Sequence, residues 1–323
     1  MKAMSITSYN GTEGLELLDA PAPEPGPDQV ALDVDFAGAN YVEALFAGGL
    51  VPNPLPWIPG IEASGRVRAL GPGVTGFEEG QPVAALTINT GGAYGQVAVT
   101  HRDLVVPLPP GMDPALAAVV PSNTTTALIA LARVAHLRPG DRVLVHGAAG
   151  GLGSQFGQIA RLLGASRVVG VVGSDAKRQA ALDLGYDKVL LRDSIGGQDA
   201  GQFDVIVDPV SGPTRAESLD LLDLGGRLLA VGDAAQAGDQ HISSNTLWFN
   251  GVGVLGFNLG ALSATRPDIV GRYLRRALAL VAAGDVTVQL TGRAPIADAP
   301  RILGDLRAGR TTGKMVFAHG WER

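Results

Sequence analysis

The chain has 323 residues, 46% hydrophobic and 17% charged, enough for two domains that each bury a core. Its formal net charge of −6 offers no footprint for nucleic acid or an anionic membrane surface, and no apolar run reaches the ~18 residues of a membrane span, so a cytoplasmic protein is the expectation. Cysteine is absent, which excludes disulfides, thiolate nucleophiles and cysteine-ligated zinc or iron–sulfur centres, and the five histidines include no i, i+4 pair.

The first 120 or so residues read as mostly β. In "VALDVDF" the residues Val30, Leu32, Val34 and Phe36 alternate inward, the period of a half-buried strand. "ASGRVRALGPGVTGF" is a strand broken at Gly71-Pro72-Gly73, "GQPVAAL" and "YGQVAVT" read as two more, and the proline clusters at 21–27 and 52–59 are loops. This pattern predicts a small barrel or sandwich.

From about residue 141 strands and helices alternate. Strands are predicted at 142–146, 167–172, 188–191, 204–208, 227–232 and 252–257, with helical patterns over Leu152–Leu163, Ala176–Leu184 and Ala216–Leu222. Six short apolar strands with intervening helices describe a doubly wound parallel sheet. The tail carries an amphipathic helix (Ile269, Val270, Tyr273, Leu274, Ala277, Leu278, Val281), a strand "VTVQL", a short helix and a final strand "KMVFA" that returns to the first domain.

Within "VLVHGAAGGLG" the glycines Gly147, Gly150 and Gly153 stand three apart, between a predicted strand and a predicted helix. A dinucleotide cradle needs one glycine for the tight turn, one for the approach of the pyrophosphate and one for close helix–strand packing, while the helix opening near Leu152 presents unpaired N–H groups to the phosphates. A purely structural turn uses the same glycines; the strand before, the helix after and the further strand about 20 residues on favour the cradle. At the end of that further strand a fold binding NAD usually places an acid. Here Val171-Val172-Gly173 stand there, followed by Ser174, Lys177 and Arg178, a hydroxyl and two cations suited to the 2′-phosphate of NADPH. Two other readings stay open: Lys177 and Arg178 as a solvated helix start, and Asp175 as an N-cap or displaced ribose ligand.

These motifs, with "FAGANYVEALFAGGL", "PGIEASGRVRALGPGVTGFEEGQPV", "GGAYGQVAVT", "TTTALIAL", "FDVIVDPVSG", "GGRLLAVGD" and "GRTTGKMVFA", resemble the zinc-free quinone oxidoreductases of the medium-chain dehydrogenase/reductase superfamily over essentially the full length. The resemblance implies a GroES-like catalytic domain (1–122, returning at 259–323), a Rossmann-type nucleotide domain (123–258), an active-site cleft between them and a homodimer paired near "GVGVLGF". Zinc-dependent relatives carry Gly-His-Glu where this chain has Gly60-Ile61-Glu62, so no metal is expected. Without a Lewis acid, alcohol–carbonyl interconversion loses its support, and hydride delivery to a quinone or enone remains.

The resemblance also assigns residues. Asn40 lines the nicotinamide side as an oxyanion donor, with a capping role as its alternative, and Tyr41 is a proton donor or a packing residue. Glu43 and Glu62 orient loops. Thr126, Ala149, Gly151, Val231, Phe257 and Asn258 join the cofactor contacts, and Arg192 stands where relatives place a 2′-phosphate neighbour. Lys314 approaches the phosphates or is a solvated strand-edge lysine. Leu45, Trp57, Trp248 and Phe249 line an apolar substrate pocket, the aromatics being alternatively core or dimer interface, and His146 is a structural histidine. The expected activity is NADPH-dependent reduction of quinones or conjugated carbonyl compounds; an enoyl reductase of a biosynthetic or polyketide-like thioester and a non-catalytic NADPH binder are the alternatives.

Overall fold

The structure is a computed structural model and describes residues 1–195 and 201–320. Its strands are β1 (Lys2–Ile6), β2 (Leu15–Asp19), β3 (Gln29–Ala39), β4 (Glu62–Leu70), β5 (Pro82–Leu86), β6 (Val97–His101) and β7 (Val105–Pro107), then β8 (Arg142–His146), β9 (Arg167–Val172), β10 (Lys188–Leu191), β11 (Phe203–Asp208), β12 (Leu222–Ala230) and β13 (Gly253–Gly256), and finally β14 (Leu290–Pro295) and β15 (Lys314–Ala318). The chain divides into two compact units: Met1–Thr125 with Leu259–Gly284 and Val288–Arg323, and Thr126–Asn258 with Asp285–Thr287.

The first unit is the GroES-like one. Its seven-stranded sheet runs β14-β15-β3-β4-β5-β7, with β6 also pairing β3. Val30, Leu32 and Val34 face the core as the alternation predicts, but Phe36 is only half buried and Ala37 takes the inward place. The β3–β4 register shifts between Val34 and Phe36, and a one-residue bulge flips every later side chain to the other face. C-terminal β15 lies antiparallel to β3 with Met315 opposite Ala39, which sets Lys314 beside Asn40. The amphipathic tail helix spans Pro267–Ala283 and buries the predicted stripe except Tyr273, which is half buried. It lies so close to the 102–104 turn that a Cβ on Gly271 would stand 2.0 Å from the Asp103 carbonyl oxygen.

The predicted strand "VTVQL" does not form. Only Leu290 belongs to β14, while Thr287 is tied to the second unit through its N–H, donated to Gln158, and its carbonyl, which accepts from Gln155 and Gln158. These side-chain amides take the place of a sheet partner, and alternation alone cannot signal such a capture.

The second unit is a six-stranded parallel sheet in the order β10-β9-β8-β11-β12-β13, the doubly wound order 3-2-1-4-5-6. β12 begins five residues before its predicted start, because Leu222 pairs Phe203 and an irregularity follows before Arg227 pairs Val205. The order reverses between β8 and β11, so the carboxyl ends of those strands mark the position where such sheets bind ligands.

Candidate active site

At the end of β8 the chain turns through Gly147, at φ +67°, into the Gly151–Leu162 helix. A Cβ on Gly153 would lie 2.2 Å from the Gly147 carbonyl oxygen, and one on Gly150 would stand 3.2 Å from the same atom. Gly157 lets the helix approach the Tyr186 ring, whose hydroxyl donates to the Gly153 carbonyl at 2.7 Å. The helix N-cap is Gly150, with no side chain capping it, so the first-turn amides are left for an anion. Ala149 is buried in the turn, and Gly151 and Leu152 are half buried at the helix start. The loop thus makes the tight turn and the close helix–strand approach that the glycine spacing predicts.

Beyond β9, Gly173 lies against the Arg192 guanidinium: a Cβ there would meet Nη2 at 3.2 Å. Burial, and then the charge of Arg192, lower the pKa of Lys177 below its ordinary value, so two cations share one locality. Ser174 is exposed beside them. Arg178 is placed differently from its predicted role: it pairs with Asp175 at 3.0 Å and donates to the Val189 carbonyl. That pairing draws both residues into the local helix start, removing Arg178 from the phosphate contacts and giving Asp175 a partner. The predicted group thus reduces to Ser174, Lys177 and Arg192.

His146 ends β8 fully buried, its Nε2 2.8 Å from Ser218 Oγ. Ser218 donates to the Thr214 carbonyl at 2.6 Å, so the imidazole is the donor in the first contact. Burial is the main cause that lowers its pKa to about 4, keeping it neutral, as a structural histidine should be.

In the first unit the structure assembles Asn40, Glu43, Glu62 and Lys314, all buried. Lys314 Nζ contacts Glu62 Oε1 at 2.7 Å, the Ala39 carbonyl at 3.3 Å and Asn40 Oδ1. Asn40 Nδ2 donates to Glu62 Oε1 at 3.0 Å and lies 3.4 Å from Glu43 Oε1. Glu43 accepts the Asn40 backbone N–H at 2.8 Å, closing a capping box on the Tyr41–Ala47 helix, and the Ile61 N–H at 3.1 Å. Two expectations change. Asn40 turns its amide into this cluster, so the capping role replaces the oxyanion-donor role. Lys314 is neither a phosphate neighbour nor a solvated edge lysine, because burial beside two side-chain oxygens is its resting place. Asn40-x-x-Glu43 was a readable capping signal; the lysine that meets Asn40 from 274 residues away was not.

Burial pushes the Glu43 carboxyl up to about 8, with the Lys314 charge opposing and the Glu62 charge assisting. The folded protein therefore holds a proton that the unfolded chain releases near pH 4.5. This contribution to stability is full below that pH and is lost as pH rises through about 8. Glu43→Gln preserves the capping geometry and removes the titration. Thermal melts should show the variant gaining on the parent steadily from pH 5 to pH 8; a constant difference would contradict a proton on Glu43.

A zinc donor set does not fit this region. Position 61 is a buried isoleucine, and both Glu62 oxygens are engaged, Oε2 by the Ser122 N–H at 2.8 Å. Among the remaining predicted residues, Leu45 is buried in its helix, and Tyr41 is half buried at the same helix start. Trp57 packs edge-on to Phe46 at 5.5 Å on the core of the first unit, which makes it a packing residue rather than a pocket wall. Thr126 is buried in the Asn123–Ile129 helix, Val231 donates its N–H to the Asp208 carbonyl, and Phe257 donates its N–H to the Ala230 carbonyl just before exposed Asn258. Trp248 and Phe249 are 74% and 76% exposed, on the surface of the second unit.

Residues 26–110 match the alcohol dehydrogenase GroES-like domain and residues 151–280 the zinc-binding dehydrogenase family. The chain is 32% identical to a quinone oxidoreductase from Pseudomonas aeruginosa, over 98% of this chain and 99% of that protein. It is 29% identical to the phthioceranic/hydroxyphthioceranic acid synthase of Mycobacterium tuberculosis, matching 97% of this chain but spanning only 15% of the synthase. A mycobacterial protein solved in complex with NADPH superposes with a TM-score of 0.89 at 29% identity, covering 98% of this chain and 99% of that one. With the glycine cradle, the sheet order and the GroES-like unit in place, the chain belongs to the quinone oxidoreductase family of the medium-chain dehydrogenase/reductase superfamily, a family of oxidoreductases.

Proposed function

We propose that the protein is an NADPH-dependent, metal-free reductase of quinones or other α,β-unsaturated carbonyl compounds. The observation that carries the cofactor choice is the Lys177–Arg192 pair beyond β9, beside a glycine cradle and with valine at the strand end where an acid would select NADH. Bound there, NADPH supplies a hydride. Gly147, Gly150 and the first turn after Gly151 hold the pyrophosphate, Ser174, Lys177 and Arg192 the 2′-phosphate, and Thr126, Val231, Phe257 and Asn258 the nicotinamide end. The Tyr41–Ala47 helix supplies the acceptor side, and water supplies the proton. Isoleucine at 61 and the engaged oxygens of Glu62 support a reaction without metal. Assaying NADPH oxidation against quinones, enones and enoyl thioesters tests the reading; tight NADPH binding with no acceptor turnover would leave only a nucleotide-binding protein.

A second reading, an enoyl reductase of a thioester intermediate, is favoured by the match of nearly the whole chain to a segment of the mycobacterial synthase. Preference for enoyl thioesters in the same panel would select it.

The exposed Leu224, Trp248 and Phe249 lie in the second unit, whose β13, among the described residues, pairs β12 alone, and that sheet edge with this apolar surface supports a homodimer. Trp248→Glu combined with Phe249→Glu is expected to halve the mass seen by analytical ultracentrifugation. An unchanged mass would refute that interface.

A further inference from the structure

The Lys314 ammonium has three hydrogens to donate and three oxygens within reach: Glu62 Oε1 at 2.7 Å, the Ala39 carbonyl at 3.3 Å and Asn40 Oδ1. No donor remains for a phosphate. The lysine is 3% exposed and Glu62 0%, so removing either alone strands an uncompensated charge in the interior.

From this geometry we infer that Lys314 is a positioning residue for the acceptor side, acting through Glu62 and Asn40 and not through the cofactor. The inference rests on the reading that the Tyr41–Ala47 helix serves the acceptor. The lysine's amide partner Asn40 is the N-cap of that helix. Its carboxylate partner Glu62 reaches across β3 on one oxygen and holds the Ser122 N–H with the other, at the approach to the Asn123–Ile129 helix. One ammonium thus ties β15 to the start of one helix and the approach to another. The crossing of β3 depends on Gly38, where a Cβ would fall 2.3 Å from Glu62 Oε1 and 2.7 Å from its Cγ. Gly38 does not have a positive φ, so alanine there strains no backbone and acts by displacing Glu62. This offers a perturbation that leaves both charged groups, Lys314 and Glu62, present along with the Asn40 amide.

The test compares Lys314→Met, the double variant Lys314→Met/Glu62→Gln and Gly38→Ala. It reads NADPH affinity by fluorescence titration, kcat and KM for the acceptor, and amide hydrogen exchange at residues 40–43 and 122. Because the cluster and the glycine cradle belong to different units, NADPH affinity is expected to stay within about twofold in every variant that folds. Loss of positioning is expected to lower kcat about 10–100-fold and to quicken exchange at those amides. The double variant removes both buried charges, so it folds where Lys314→Met does not, and it remains slow. Weakened NADPH affinity of about tenfold or more with kcat retained would overturn the inference in favour of a phosphate ligand. Faster exchange at 40–43 and 122 with unchanged kcat would overturn it in favour of a structural tie alone. If the parent itself turns over no acceptor, the proposed reaction fails and positioning for it fails with it, while unchanged NADPH affinity in the variants would still dismiss the phosphate-ligand role separately.

Discussion

Replacing Gly153 by alanine is expected to abolish tight NADPH binding while a matched substitution at Gly256 changes nothing. The added carbon at 153 would stand 2.2 Å from the Gly147 carbonyl oxygen and 2.7 Å from its carbonyl carbon, so relief takes about 1 Å of backbone movement. Both atoms belong to the glycine turn itself, so that movement displaces the backbone proposed to receive the pyrophosphate. Overpacking of this kind costs about 1–3 kcal/mol before any ligand contact is counted. If the lost contacts amount to a similar sum, affinity falls by about 10–100-fold. Gly256 has no atom within 4 Å of its hypothetical Cβ and no positive φ, which makes it the control. Isothermal titration with NADPH reads both variants; equal affinity at position 153 would mean that the glycines serve the turn alone.

The second large effect concerns cofactor choice. Lys177→Ala with Arg192→Ala removes the cation pair beyond β9 and is expected to weaken NADPH binding about 10–100-fold at low salt, leaving NADH binding unchanged. The loss should shrink as ionic strength rises, because Lys177 is only half buried and Arg192 is exposed. Arg178→Ala should matter little, since that guanidinium already serves Asp175 and the Val189 carbonyl. Equal losses for NADPH and NADH would show that the pair does not read the 2′-phosphate.

How much was legible in the sequence follows from the range of the interactions. Most of the nucleotide unit was readable because its turns, glycines and apolar runs are local: β8, β9 and β10 fall on the predicted residues, whereas β12 begins at Leu222, on the last residue of a predicted helix, through its pairing with Phe203. The glycine turn between β8 and the Gly151–Leu162 helix was readable for the same reason. Alternation along β3 was readable only as far as Val34, because a bulge depends on the neighbouring strand as well as on its own. "VTVQL" carried a strand pattern and lost it to the side-chain amides of Gln155 and Gln158. The buried cluster was the least legible part. Asn40 and Glu43 announce a cap locally, whereas the ammonium that completes the site arrives from the far end of the chain once β15 docks on β3. A lysine in an apolar strand gives no local sign of whether it faces water or a buried carboxylate.

The most direct measurement follows the label from NADPH deuterated at its hydride-donating carbon into the product of a simple enone. Metal-free conjugate reduction predicts deuterium on the carbon β to the carbonyl, at an undiminished rate after exhaustive chelation. Deuterium on the carbonyl carbon, giving an allylic alcohol, or activity lost with the chelator and restored by zinc, would contradict it.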